Sequence, residues 1–285
     1  MNNRKIVFIS FADSRYRKAL DRIKEYTKEF PFDERNFLTE KNLPREFLKE
    51  LKPWLYRRGY GYWKWKPFLV CFFLKRMNDG DILCYSDCGV YWNSTEEALN
   101  HFNLYINLLD TTQKDILVFE EKYEEQTYTK GDLLKALNVY DNDKICKSPQ
   151  IWGGCFIIKN SLTARRIFSQ YLELCDYSKE LVTDKKSTTP NKEGFVEHRH
   201  DQSIFSLLVK TNAHITISTN EIQPINNDNW DSLKNYPIQA RRLKEVGRPF
   251  TTKMYNKLLR PWRILLNLYF RKVRNYYFIN KSYPW

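Results

Sequence analysis

Two carboxylates stand where chemistry could be done. Asp87 ends the stretch DILCYSDCGV (81–90), which starts as a buried strand through Ile82, Leu83, Cys84 and Tyr85 and turns polar at its close. Asp201 opens HDQSIFSLLVK (201 being its second residue) between His200 and Gln202, at the head of a segment with helical periodicity. An acid at a strand end can ligate a cation, hold a ligand or simply close a turn. An ionised Asp within hydrogen-bond reach of a hydroxyl can act as a general base, and one at a helix start can cap it instead. The exit of the first strand (Phe11–Tyr16) and the pair Gly153-Gly154 are two further places where an α/β sheet would show polar or backbone groups to a ligand.

A third feature is RRGYGYWKWKP (57–67). If residues 62–66 are extended, Trp63 and Trp65 share one face and Lys64 and Lys66 the other. Two readings follow. Either the tryptophans cover the core while the lysines reach into solvent, or the segment is a ledge with aromatic surface for a base or sugar and cations for phosphate.

The elements that must position these groups alternate. KIVFISFADS reads as a strand opening into a loop, 16–30 as a helix, 68–77 as a buried helix after Pro67, and 81–86 as a strand. Ser94 and Glu97 have capping-box spacing, which predicts a helix over 95–109. Strands over 115–120, 153–160 and 214–218, and helices over 131–139, 161–175 and 202–210, complete the pattern. The polar run 176–194 reads as a mobile loop. Such alternation predicts an α/β domain with a mixed, mostly parallel sheet flanked by helices, with ligands bound beyond the carboxyl ends of its strands.

Composition limits the alternatives. The 285 residues are 42% hydrophobic, enough for a large core, and the six cysteines include no C-x-x-C pair, which argues against a zinc or disulfide framework. Net charge is +13, but residues 238–285 hold twelve Lys/Arg and one acid, so the tail carries about +11 and the body about +2. A nucleic-acid binder, which the basic charge and 16% aromatics would suit, should spread its cations through the body and show a recognisable binding motif. Neither is found, and no nucleic acid is expected as partner. No signal-like leader and no apolar run of about 20 residues is present, which predicts a cytoplasmic protein.

Taken together, FISFADSRY, RGYGYWKWKP, NDGDILCYSDCG, GGCFIIKN and RHDQSIFSLL resemble bacterial glycosyltransferases of the GT-A fold that build lipopolysaccharide, capsule and related surface glycans, over about residues 4–220. The resemblance implies a GT-A-like (Rossmann-like) catalytic domain over 1–237. It also implies hexosyl transfer, galactosyl being one option, from a nucleotide sugar, UDP-linked, to a lipid-linked or glycan acceptor, with inversion preferred. In that family a D-x-D motif holds a divalent cation, Mn²⁺ or Mg²⁺, on the donor's diphosphate. Asp87 matches the first acid, while Gly89 stands in place of the second, so the cation would rest on Asp87 alone or be replaced by Lys64, Lys66 or Arg58.

The resemblance further implies that Phe11, Ala12, Ser14 and Tyr16 line the nucleotide site. Arg58, Tyr62, Trp63, Lys64, Lys66, Asp87, Gly89, Gly153 and Gly154 would then touch the donor. Asp201 would be the base, with His200 tuning it, and Gln202 and His198 would meet the acceptor. Loss of the second acid leaves one alternative, a catalytically inactive scaffold on the same fold.

The tail reads as a basic amphipathic helix. Projected from Trp262 at about 100° per residue, Leu265, Leu266, Tyr269, Val273, Tyr276 and Tyr277 share one face while Arg263, Asn267, Arg271 and Arg274 share another. Trp262, Arg263, Arg271 and Arg274 are therefore the expected contacts with an anionic membrane surface, placing the protein peripherally at the cytoplasmic face of the inner membrane.

Overall fold

The computed structural model describes residues 4–226 and 229–241. The chain divides into a unit spanning 1–244 and a second spanning 245–285. The expected tail helix and its contacts Trp262, Arg263, Arg271 and Arg274 lie outside the described residues.

Six strands form the central sheet: β1 Ile6–Phe11, β2 Glu34–Leu38, β3 Ile82–Ser86, β5 Ile116–Glu124, β6 Pro149–Lys159 and β7 Ile215–Ile217. Their order is β2-β1-β3-β6-β5-β7. All run parallel except β6, which is antiparallel to both of its neighbours. The sheet is mixed and mostly parallel, as the alternation of elements predicts.

Both faces are covered, so the central strands are apolar along their whole length rather than alternating. On one face Val7, Ile9, Leu83, Tyr85, Val118, Phe156 and Ile158 pack beneath the helices Arg45–Leu51, Trp65–Leu74, Leu162–Leu174 and Asp201–Lys210. On the other, Phe8, Ile82, Cys84, Leu117, Phe119 and Ile157 meet the helices Arg17–Tyr26 and Glu96–Thr111. Thr95, not Ser94, caps the latter helix, its side chain accepting from the Ala98 backbone N–H.

A short strand β4, Tyr91–Trp92, pairs antiparallel with β8, Ile238–Gln239, so residues 238–239 are tied to the body. The run 176–194 is likewise integrated rather than free. Leu181 and Val182 are buried, and Asp132 accepts from the backbone N–H groups of Thr188 and Thr189.

The largest departure from expectation lies at 59–63, which is not extended. Gly59, Tyr60, Gly61, Tyr62 and Trp63 all have φ between 50° and 93°, one left-handed turn closed by Tyr62 N–H to Arg58 O and Trp63 N–H to Gly59 O. Non-glycine residues in this region cost about 1–2 kcal/mol each, so the surroundings must impose it. They do so through polar clamps: Trp65 Nε1–H donates to Gly59 O at 2.9 Å, and the single Tyr177 hydroxyl proton is shared between Gly61 O at 2.8 Å and Leu51 O at 2.9 Å.

At Gly61 (φ +93°) an added Cβ would stand 2.5 Å from Leu51 Cδ1 and 2.9 Å from the Tyr177 hydroxyl, whereas at Gly80 (φ +90°) it would meet nothing within 4 Å. Gly61→Ala is therefore expected to cost about 3 kcal/mol in urea unfolding, from conformational strain plus overpacking, and Gly80→Ala only about 1 kcal/mol. Equal losses at the two sites would contradict the clamped turn.

Candidate active site

The turn at 59–63 ends by driving the chain inward. Lys64 and Lys66 are both buried, against the expectation of lysines facing solvent or forming an open ledge. Lys64 is committed to Glu50 and lies 5.1 Å from the centre of the Tyr177 ring, so it is no free phosphate ligand. Trp65 packs into the core at 4.2 Å from Phe11.

Lys66 takes a different course. Its ammonium, on the first turn of the helix Trp65–Leu74, donates to Asp201 Oδ2 at 2.8 Å and to Gly153 O at 2.9 Å, and lies 3.5 Å from Asp87 Oδ1. The ring of Tyr85 lies 5.3 Å away, and the Tyr85 hydroxyl donates to Asp87 Oδ1. Tyr171 OH donates to Asp201 Oδ2 at 3.2 Å. Segments that begin far apart in sequence thus converge at the carboxyl edge of β3, where the antiparallel β6 brings Gly153 alongside.

The electrostatics follow from burial. Lys66 is 3% exposed as a side chain; burial alone would lower its pKa, but Asp201 and Asp87 together raise it, so it is charged. Burial raises the Asp201 carboxyl above the usual range, and the Lys66 ammonium pulls it back down. Tyr85 is held well above the ordinary phenol value by burial and by Asp87, which keeps its hydroxyl a donor. Asp87 is 38% exposed and its Oδ2 accepts no hydrogen bond among the described residues, so one carboxylate oxygen faces outward.

Asp201 does not cap its helix. His200 occupies that position with φ 53° and ψ −118° and makes no side-chain cap, while Asp201 begins the helix and turns inside. His200 Nδ1 bonds Val182 O at 2.8 Å, its Nε2 is buried without a hydrogen-bond partner among the described residues, and its ring stacks on Trp63 at 5.6 Å. His198 Nε2 bonds Leu181 O at 2.8 Å. Both histidines therefore anchor the 180–185 segment, so neither His198 as an acceptor contact nor His200 as a free tuning group is what the geometry favours. Burial lowers the pKa of each, far below the usual value for His198.

The remaining expected donor residues divide. Phe11 and Ala12 are buried beneath the site, whereas Ser14 and Tyr16 are exposed on a turn capped by Asp13. Arg58 and Tyr62 both bond Asp184, at 2.8 and 2.7 Å. The two glycines of 153–154 do not leave space for a ligand. A Cβ at Gly154 would stand 2.4 Å from the Trp152 indole, and one at Gly153 would stand 3.1 Å from Gln202, whose Oε1 accepts from Gly153 N–H at 3.1 Å. At Gly89 a Cβ would meet nothing within 4 Å. Tyr85 and Tyr171 were not singled out by sequence. Tyr85 had a usable signal, since residues two apart in a strand share a face.

Among the described residues no three His, Cys, Asp or Glu side chains could together hold a metal ion. Asp87 Oδ2 and Asp201 Oδ1 accept no hydrogen bond among the described residues.

No known family model matches the chain, and no curated protein matches it. Among solved structures it is similar to a glycosyltransferase involved in glycosylation of the major capsid of PBCV-1, at 12% identity and TM-score 0.44 over 82% of this chain and 93% of that one. It is also similar to mouse xyloside xylosyltransferase 1, at 13% identity and TM-score 0.38 over 75% and 71% of the two chains. A third is the galactosyltransferase LgtC in complex with donor and acceptor sugar analogues, at 13% identity and TM-score 0.40 over 83% and 85%. These are similarities of outline.

Removing one partner of a buried pair leaves the other charge uncompensated. Lys66→Met should cost about 3–5 kcal/mol in urea unfolding, and adding Asp201→Asn should recover much of that loss. A double variant no more stable than Lys66→Met would contradict the ion pair. For His198 the folded pKa lies below the unfolded value of 6.5, so the unfolded chain binds the extra proton and stability, full above 6.5, is lost as pH falls below it. His198→Asn should flatten the fall in unfolding free energy between about pH 6.5 and 5 by up to about 1.4 kcal/mol per pH unit. An unchanged slope would count against a buried, neutral His198.

Proposed function

We propose that the chain is a glycosyltransferase moving a hexosyl group, galactosyl being the first to test, from a UDP-linked donor to a lipid-linked or surface-glycan acceptor. The observation that carries this reading is the Lys66 ammonium, held between Asp201 and the half-exposed Asp87 at the carboxyl edge of the sheet. A cation one side chain below the surface is suited to a diphosphate, and a buried carboxylate paired with it is a base in reserve.

In the proposed reaction the donor's diphosphate settles over Asp87 and draws the Lys66 ammonium toward itself. Asp201, losing its countercharge while staying buried, becomes more basic, because burial then acts on its pKa with only the Tyr171 hydrogen bond against it. The acceptor oxygen bonds to the anomeric carbon as the carbon–oxygen bond to the β-phosphate breaks. The electron pair leaves on the diphosphate, facing Lys66, and the hydroxyl proton passes to Asp201. Direct displacement of this kind inverts the anomeric centre. A Mg²⁺ or Mn²⁺ ion accompanying the donor would be held on the protein by Asp87 and would neutralise charge on the leaving diphosphate.

Tyr85 holds Asp87 by its Oδ1, leaving Oδ2 outward, while Gly153 is held on both sides, its N–H donating to Gln202 Oε1 and its carbonyl, in the next peptide unit, receiving Lys66. Arg58, Tyr62 and Trp63, joined to Asp184 and His200, form the rim on which we place the base or sugar. The basic segment beyond residue 241 is proposed to hold the enzyme on an anionic membrane at the cytoplasmic face, where such acceptors are met. No helix among the described residues is long and apolar enough to cross a membrane.

Transfer or donor hydrolysis assayed across UDP-, GDP-, CMP- and dTDP-sugars should show turnover with a UDP-hexose. Asp87→Asn should lower kcat/KM by about 100-fold or more. Gly89→Asp, for which there is room, should make donor binding more dependent on Mn²⁺. Absence of turnover with every donor and acceptor, or full activity in Asp87→Asn, would refute the reading.

A further inference from the structure

One surface feature on the body has no part in the site. The helix Arg45–Leu51 is terminated by Lys52 in the left-handed conformation, φ 43° and ψ 53°, and the chain turns back through Pro53, Trp54, Leu55 and Tyr56. Trp54 and Leu55 are each 63% exposed, and they are the only adjacent pair among the exposed large apolar residues of the described chain. Exposed neighbours of this size lose free energy to water unless something covers them.

The tip is held in shape. Leu55 N–H and Tyr56 N–H both donate to Lys52 O at 2.9 Å, and Arg57 Nε–H reaches Trp54 O at 3.4 Å. Behind it the Tyr56 ring lies 3.9 Å from that of Tyr177, whose hydroxyl bonds Leu51 O and Gly61 O. The exposed pair therefore sits on a clamped turn.

Its charge setting indicates the partner. Lys49, Lys52 and Arg57 are exposed around the tip, and none makes an ion pair among the described residues. Of the acids on the helix itself, Glu50 is bound to Lys64, leaving Glu46. Two side chains are far too little surface for a stable protein partner, which takes about 800 Å² from each side. They do suit a bilayer interface, where an indole lies at headgroup depth, a leucine enters the acyl region and lysine or arginine meets anionic headgroups.

We propose that the Trp54–Leu55 tip, ringed by Lys49, Lys52 and Arg57, docks the catalytic body onto an anionic lipid bilayer. The inference does not rest on glycosyl transfer. An enzyme inactive with every sugar could still dock, and an active one could fail to.

The test uses the full chain with vesicles of phosphatidylcholine alone or with about 30% phosphatidylserine, the composition that supplies the surface potential. Wild type and Trp54→Phe are compared in vesicles of the same lipids brominated on the acyl chains. We expect a component of tryptophan quenching that is present in wild type, absent in Trp54→Phe and dependent on phosphatidylserine. Trp54→Ala/Leu55→Ser, with unfolding unchanged, should bind the anionic vesicles roughly tenfold more weakly in co-sedimentation. Identical quenching of wild type and Trp54→Phe would overturn the proposal, whatever other parts of the chain contribute to binding. So would a concentration-dependent dimer abolished by the double substitution, which would assign the tip to a second copy of the chain.

Discussion

A buried ammonium group must have acids around it, and in this fold that requirement organises everything near the carboxyl edge of β3. Lys66 is brought inward by the first turn of its helix, Asp201 meets it from the start of another, and Asp87 meets it from the strand end. Gly153 O completes its hydrogen bonds from the antiparallel strand. Taking a lysine out of water costs several kcal/mol unless such partners are present, so the three chain segments are held to one point by electrostatics as much as by packing. The neighbouring left-handed turn is the conformational counterpart. It is unfavourable in isolation, and it aims Lys66 at the acids while leaving Tyr62 and Trp63 at the rim beside His200.

This arrangement separates two carboxylates of the same type. Asp87 keeps one oxygen toward solvent and is restrained by Tyr85, whereas Asp201 is enclosed with Lys66 and Tyr171. In the proposed reaction the first meets the incoming group and the second responds to a change in the position of the lysine between them. In the proposed reaction an anion entering from the Asp87 side competes for Lys66 with Asp201, which would link ligand binding and the basicity of Asp201 through a single side chain.

Much of the framework was legible in the sequence because apolar runs of strand length, separated by periodic helices, leave few alternatives to a covered, mostly parallel sheet. Asp87 and Asp201 were legible as well, each by its place at the edge of an apolar element. The turn at 59–63 was not. Alternation of aromatic and lysine residues reads as a strand, and nothing in Tyr60, Tyr62 or Trp63 announces positive φ, which is imposed from outside by Tyr177 and Trp65. The burial of Lys64 and Lys66 was hidden for the same reason, since partners such as Glu50 and Asp201 are distant in sequence. Gly153 and Gly154 looked like ligand space because their filling, Gln202 and the Trp152 indole, depends on tertiary contacts and side-chain direction. For the two histidines beside Asp201 the sequence leaves tuning, metal binding and loop closure all open, and their bonds to Leu181 O and Val182 O match the last.

The coupling between Lys66 and Asp201 is open to direct measurement as protons taken up when UDP binds, obtained from the binding heats in buffers of different ionisation enthalpy at about pH 6. If the diphosphate draws Lys66 away, the Asp201 carboxyl rises in pKa, and the wild-type protein should take up more protons than Asp201→Asn, in which only the nucleotide's own ionisation contributes. Equal proton uptake by the two proteins would contradict the account.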